Sequence, residues 1–113
     1  MLEISKSQIE LFLNKSQFNL KPSQSAVSYP ILLRIINRLQ QDKRFSSIKV
    51  HGNIIIDGHH RFICYSYLNI PIEISKSGNN PSSVNLEWNS ILVDPIDYDS
   101  KADKIYYSKL FDT

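Results

Sequence analysis

Hydrophobic positions along the chain change period several times, and each change marks a predicted element. Leu32, Ile35, Ile36 and Leu39 recur at helical spacing and predict an amphipathic helix. Ser28 stands where it can cap that helix, and Pro30 falls in the first turn, where a missing N–H is tolerated. Arg34, Asn37, Arg38 and Gln41 lie mostly on the opposite face, so Arg34 and Arg38 read as a basic edge in solvent. Ile48-Lys49-Val50-His51 then alternates as a strand, and Gly52-Asn53 is a tight-turn pair leading into Ile54–Asp57 as a hairpin. His51, beside that turn, reads as exposed and inert.

The pattern is less decisive towards both ends. Leu2 to Ile4 fits a short strand. Ser7-Gln8-Ile9-Glu10 fits a capping box that opens a helix through about Asn14, although Ile9, Leu11 and Leu13 alternate as a strand would. Asn19 to Ser25 is a polar connector in which Pro22 holds Lys21 out of helical geometry. Ile72-Glu73-Ile74 predicts another strand, and Lys76 to Ser83 a flexible loop. Val84, Leu86, Trp88 and Leu92 predict one or two further strands. Asp99 or Ser100 can cap a last helix carrying Ile105, Tyr106, Tyr107 and Leu110. With no internal repeat and no second domain, positions 1–113 read as a single small α+β domain whose mixed sheet has a central hairpin.

The stretch from Ile54 to Leu68 organises the rest. A β-branched run enters Asp57-Gly58, then His59, His60 and Arg61, then an apolar segment that stops at Asn69 and Pro71. A strand turning through glycine into a helix leaves the first helical amides unpaired at the positive end of the helix dipole, which makes an anion site. Cations in that first turn are unfavourable unless an anion offsets them, so the His-His-Arg cluster points to a phosphate-like ligand.

Totals change this picture little. With 13 Lys+Arg against 11 Asp+Glu the net charge is +2, so nucleic-acid binding would require a local patch. One cysteine, Cys64, excludes an internal disulfide. No run of about 18 apolar residues is present, and the start lacks the basic-then-apolar order of a signal peptide. The stretch would also suit a piece cut from a longer protein.

The connector Lys21-Pro22-Ser23-Gln24-Ser25, the amphipathic helix, the hairpin, the Asp57-Gly58-His59-His60-Arg61 turn and the apolar helix together resemble the ParB/sulfiredoxin superfamily. The resemblance covers about residues 19 to 75. The sulfiredoxin turn reads Gly-Gly-Cys-His-Arg and holds ATP phosphates. Here His59 occupies the place of the reactive cysteine, and Cys64 lies more than a helical turn beyond it, so sulfinic-acid reduction is not expected. The turn of chromosome-partitioning ParB proteins reads Gly-Glu-Arg-Arg and binds CTP. His59 and His60 replace its Glu and first Arg, and no DNA-reading helix-turn-helix follows. The Asp-Gly-His-His-Arg form, together with Lys21 to Val27, looks most like the short ParB-like domains at the C-termini of bacterial polymorphic toxins and secretion-system effectors, which are generally regarded as nuclease-like. That resemblance implies a cognate immunity protein, and action in a target cell's cytoplasm after delivery within a larger effector.

Each candidate residue has a bland reading beside the chemical one. Arg61 offers a planar fork for phosphate, Gly58 to His60 offer amides, and the alternative for Arg61 is an ion pair. His60 is the leading general acid or base, because its ordinary pKa is near neutrality, and His59, about 100° round the helix, is either a second catalytic group or a packed one. Asp57 could bind Mg²⁺, orient a histidine or cap the helix. Lys21, Ser23, Gln24 and Ser25 would complete the phosphate pocket, or serve as ordinary loop residues. Trp88, Tyr98, Tyr106 and Tyr107 read as packing rather than base-stacking platforms. The expected function is therefore a toxin or effector hydrolase that cleaves a phosphodiester or phosphoanhydride of nucleic acid, ATP or CTP, with Mg²⁺ as a candidate cofactor. The alternative is a non-catalytic nucleotide-binding switch or adaptor that acts through a protein partner.

Overall fold

In the computed structural model, residues 4–78 and 86–112 are described. Helix α1 spans Lys6–Lys15 and is capped by Ser5, whose hydroxyl accepts the Gln8 amide at 3.1 Å while Gln8 Oε1 accepts the Ser5 amide at 2.7 Å. The capping box expected at Ser7 and Glu10 is thus replaced by one two residues earlier. Both registers satisfy the same Ser-x-x-Glu/Gln pattern, and the earlier one frees Glu10 to pair with Lys6 at 3.4 Å. Ile9 and Leu13, one turn apart, are buried, whereas Leu11 is 53% exposed, which settles α1 as a helix. Of the strand expected at Leu2 to Ile4, Ile4 is buried and belongs to no strand, and the other two residues lie outside the described ones.

Strand β1 (Ala26–Ser28) leads directly into α2 (Tyr29–Gln40), which buries Leu32, Ile35, Ile36 and Leu39 as its periodicity predicts. Ser28 holds the N-cap position but makes no side-chain cap bond. Its hydroxyl donates instead to the Ile96 carbonyl at 2.8 Å, which ties the start of α2 to the C-terminal segment. Strands β2 (Ile48–His51) and β3 (Ile54–Asp57) form the expected antiparallel hairpin through Gly52, at φ 61°, and a register shift lies between Lys49 and Val50. Helix α3 follows over His59–Tyr67, and Asn69 just beyond its end takes the left-handed conformation at φ 58°.

Strand β4 is Ile74–Lys76, two residues later than expected, because its parallel register on β2 sets Ile48 opposite Ile74 and Val50 opposite Lys76. The three-stranded mixed sheet runs β3-β2-β4. Trp88, expected on a strand, instead opens a 3₁₀ turn (Trp88–Ser90) and donates its indole N–H to the Leu20 carbonyl at 2.8 Å. Strand β5 (Leu92–Asp94) pairs in parallel with β1, forming a separate two-stranded sheet. Helix α4 (Lys101–Phe111) has a capping box built by Ser100 and Asp103, and none of its residues is buried. The greater part of the expected 76–83 loop, and Val84, lie outside the described residues, while Lys76 ends β4 and the Ser77 amide donates to Val50 O at 2.8 Å.

The result is a small α+β domain whose core joins Ile9 and Leu13 of α1, Val27 and Val93 of the strand pair, Leu32 of α2, Ile48 and Ile55 of the hairpin and Ile63 of α3. No helix among the described residues is long and apolar enough to cross a membrane. The connector is pinned against β3, since Lys21 N donates to Asn53 O at 2.7 Å and Ile55 N donates to Lys21 O at 2.9 Å. That pinning carries Ser23 to the start of α3.

The observed cap is testable. Ser5→Ala is expected to destabilise the domain by about 1 kcal/mol and Ser7→Ala by a few tenths at most. Urea denaturation of the two variants checks this, and a larger loss for Ser7→Ala would restore the later register.

Candidate functional site

The site is built by a conformation open to glycine alone. Gly58 lies between β3 and α3 at φ 103° and ψ 29°, in the left-handed region. A Cβ there would stand 2.7 Å from both Arg61 Nη2 and Ile48 Cγ2. The Phe62 amide makes the first helical bond, to Gly58 O at 2.9 Å, so the amides of His59, His60 and Arg61 have no acceptor inside the helix. No acidic residue occupies this first turn, and no side chain caps it. The dipole end is left to meet whatever enters the adjoining cleft.

The two histidines answer the charge problem differently from the expectation. His59 Nε2 accepts the Ser23 amide at 2.9 Å, and His60 Nε2 accepts the Ser28 amide at 2.9 Å. An imidazole nitrogen that accepts an N–H carries no proton, so each neutral ring bears its proton at Nδ1. Burial pushes His59 down to about 4, aided by His60, and pushes His60 down to about 4, aided by the Arg61 charge. Protonation would also remove the acceptor on which each amide depends. At neutral pH the first turn of α3 therefore carries a single cation, Arg61, beside two uncharged donors. The anticipated cluster of cations demanding an anion is corrected accordingly.

Arg61 is partly occupied. Its Nη2 donates to Ser47 O at 3.1 Å and to Asp57 Oδ2 at 3.4 Å, and its Nε is buried without a hydrogen-bond partner. Asp57 is 65% exposed at its side chain and lies at the rim of the cleft. Among the described residues, no group of three or more His, Cys, Asp or Glu side chains is arranged to hold a metal ion.

The cleft has a volume of about 780 Å³, within the range of small-molecule sites. Gln24, Asp57, Gly58, His59, His60 and Arg61 line it together. The other connector residues are placed elsewhere. Lys21 Nζ pairs with Glu87 at 2.7 Å, Ser23 contributes its amide to His59 and its hydroxyl to Ile55 O at 2.6 Å, and Ser25 is exposed, its carbonyl accepting the Leu92 amide.

Sequence reasoning missed the opposite wall. Arg34 and Arg38 are not a solvated edge: both line the cleft, and the C-terminal segment covers them. Arg34 grips Asp97 with two bonds, at 2.9 and 2.7 Å, and reaches Asp99 at 2.9 Å. This bonding holds the Asp97 carboxyl well below the usual range. Arg38, only 9% exposed, pairs with Asp112 at 3.1 Å and lies 5.6 Å from the centre of the Phe111 ring. Arg44 also lines the cleft, and its guanidinium donates to the Leu39 and Lys43 carbonyls. The available signal was the run of acids at Asp97, Asp99 and Asp112 opposite two arginines at i, i+4 spacing.

The chain matches no protein-family model, no curated protein and no solved structure.

The histidine state sets a pH dependence. Folding lowers both pKa values from 6.5 to about 4, so between these limits the unfolded chain binds more protons. The stability is fully present above about pH 6.5 and declines as pH falls towards 4. Between pH 7 and 5 the expected loss is about 2 kcal/mol per histidine. A His59→Gln/His60→Gln variant, whose amide oxygens can accept the same N–H groups without titrating, should flatten that slope in urea denaturation. An equally steep slope in this variant would place the protons elsewhere.

Proposed function

We propose that this chain is a ParB/sulfiredoxin-type domain of a toxin or effector. It holds the phosphate of a nucleotide or nucleic acid at Gly58–Arg61 and cleaves a phosphoanhydride or phosphodiester there. The observation that carries the reading is the pair of neutral histidines, held at Nε2 by the Ser23 and Ser28 amides, beside the open helix start and Arg61 in one cleft. This arrangement supplies oriented donors, which is what phosphoryl transfer chiefly requires, since its catalysis is positioning and charge stabilisation.

The roles differ from those expected of the motif. His59 and His60, with pKa values near 4 and Nε2 engaged, act as hydrogen-bond donors from Nδ1 rather than as acid and base. Asp57, exposed at the rim, is the group able to accept a proton from an attacking water. Its single carboxylate also fits the small share of ligands that Mg²⁺ takes from protein when substrate phosphates supply the rest. Bound there, Mg²⁺ would neutralise charge developing on the phosphate oxygens. Arg61 orients the phosphate from the helix side.

The same bonding favours a second reading, in which nucleotide is bound and left intact as a switch for a protein partner. With both histidines locked as acceptors, the only carboxylate of the motif is Asp57, so the two readings separate at that residue. Wild type, Asp57→Asn and Arg61→Ala, each checked for folding by circular dichroism, are incubated with Mg²⁺ and plasmid DNA, RNA, ATP or CTP. Cleavage of one substrate class is expected in wild type. Asp57→Asn should lose at least about a hundredfold in turnover while still binding, and Arg61→Ala should lose binding as well. Full turnover by Asp57→Asn sinks its assigned role. Binding without turnover in wild type leaves the switch, and binding of nothing removes the phosphate reading.

A further inference from the structure

The C-terminal segment changes its mode of attachment at Ser100. Before that point it is fixed. Val93 of β5 is fully buried, and the Ser28 hydroxyl donates to Ile96 O at 2.8 Å and accepts the Tyr98 amide at 3.3 Å. Arg34 then holds Asp97 and Asp99 together, and the Asp99 amide donates to Asp97 Oδ1 at 3.0 Å. Beyond Ser100 the chain becomes α4, none of whose residues is buried and whose Ile105, Tyr106 and Leu110 are all exposed. One turn into the helix, Lys104 reaches back to Asp97 at 3.0 Å. At the far end Asp112 pairs with Arg38 at 3.1 Å, while the Phe111 ring stands 4.4 Å from that of Phe45 and 5.6 Å from the Arg38 guanidinium.

We propose that α4 is a hinged lid on the cleft, with its hinge at Ser100 and a latch at its free end made of Asp112 and Phe111. Tyr106, Tyr107, Leu110 and Phe111 line the cleft from this helix, so lifting it opens that whole wall. Lifting also parts Asp112 from Arg38, a cleft-lining guanidinium that the closed chain keeps buried. Opening is a property of the chain alone and does not depend on the phosphate reading.

The latch is weak by construction. Asp112 is exposed, and an ion pair with an exposed partner contributes little. The charges of the segment nearly cancel beyond the hinge, with Lys101, Lys104 and Lys109 against Asp103 and Asp112. Particular pairs therefore hold the helix, rather than a general attraction to the arginine wall. The other helices are anchored by buried side chains: α1 by Ile9 and Leu13, α2 by Leu32, Ile35, Ile36 and Leu39, and α3 by Phe62 and Ile63. A segment that buries little apolar surface is the one that opens first. Once released, α4 has 11 residues, too few to persist as an isolated helix in water, so opening also melts it.

Amide hydrogen exchange of the whole chain, with no ligand added, tests the lid. In wild type the amides of Ile105 to Phe111 are expected to exchange at one common rate, about a hundredfold or more faster than the buried turns of α2 and α3. Raising sodium chloride to about 1 M should speed them a few-fold by screening the latch pair, and leave α2 and α3 unchanged. Asp112→Asn should speed α4 about threefold at low salt, after which added salt changes little. Phe111→Leu should speed it about tenfold and keep the salt response, because the ion pair remains. If α4 exchanges as slowly as α3, or if the variants speed α2, α3 and α4 together, α4 belongs to the cooperative core and the lid is overturned. If Ile105 and Tyr106 stay protected while only the last residues exchange, the end frays and no lid opens. An α4 indifferent to both substitutions overturns the latch. None of these outcomes bears on phosphate cleavage, which the turnover panel measures separately.

Discussion

Two backbone amides, those of Ser23 and Ser28, find their acceptors in side chains from a helix more than thirty residues away in sequence. They donate to His59 and His60, whose Nε2 atoms stand 2.9 Å from them. Neither amide could be left buried and unpaired without a penalty of about 1 to 3 kcal/mol. The histidines satisfy both, and in doing so they stitch the connector and β1 to the N-terminus of α3. The bond works only with an unprotonated ring, so the same contact that closes the fold also sets the charge of the site. Structure and electrostatics are a single constraint here.

That constraint resolves the tension between a helix dipole and a His-His-Arg sequence. The positive end of α3 faces one guanidinium rather than three cations, and Arg61 is drawn aside by Asp57 and the Ser47 carbonyl. Gly58 permits the arrangement, because any larger residue would meet Arg61 and Ile48 at the same point. On the opposite wall, α4 contributes no buried side chain and is held by ion pairs and by Phe111, whose ring packs on Phe45 and the Arg38 guanidinium. Isolated pairs at partly exposed positions contribute little, but Arg34, Asp97, Asp99 and Lys104 form a network in which one arginine serves two carboxylates and Asp97 also receives Lys104 at 3.0 Å.

Much of this domain was legible because it is local. The hairpin turn at Gly52-Asn53, the stop at Asn69 and the buried face of α2 each depend on residues within a few positions of one another, and all three stand as read. The capping box at α1 was degenerate, since Ser5 and Ser7 both begin a valid pattern, and only the packed chain selects one. Trp88 was read by its apolarity as a strand residue, but its indole N–H needed an acceptor and found the Leu20 carbonyl across the domain. The larger misses were all long-range. The motif marked the strand-turn-helix, but not the state of its histidines, because nothing near His59 or His60 in the chain reveals that Ser23 and Ser28 will require acceptors. Likewise Arg34 and Arg38 resemble any solvated helix edge until Asp97, Asp99 and Asp112 arrive from 60 to 75 residues later.

The electrostatics of the cleft then follow from which charges are already matched. Arg34 and Arg38 face carboxylates, and Arg44 bonds to backbone carbonyls, so on the proposed reading a phosphate would be held at the turn, by Arg61 and the first amides of α3, rather than by that wall. Binding by oriented dipoles depends less on ionic strength than binding by a field of unpaired lysines and arginines. It also depends more on geometry, since a donor contributes only when an oxygen sits at the right distance and angle. An anion that engages the arginine wall must displace Asp99 or Asp112, and so must offer at least the bonds these carboxylates already make. The two walls therefore differ in what they leave unmatched: the turn keeps helix amides without acceptors inside the helix, whereas the arginines of the opposite wall are already paired with carboxylates.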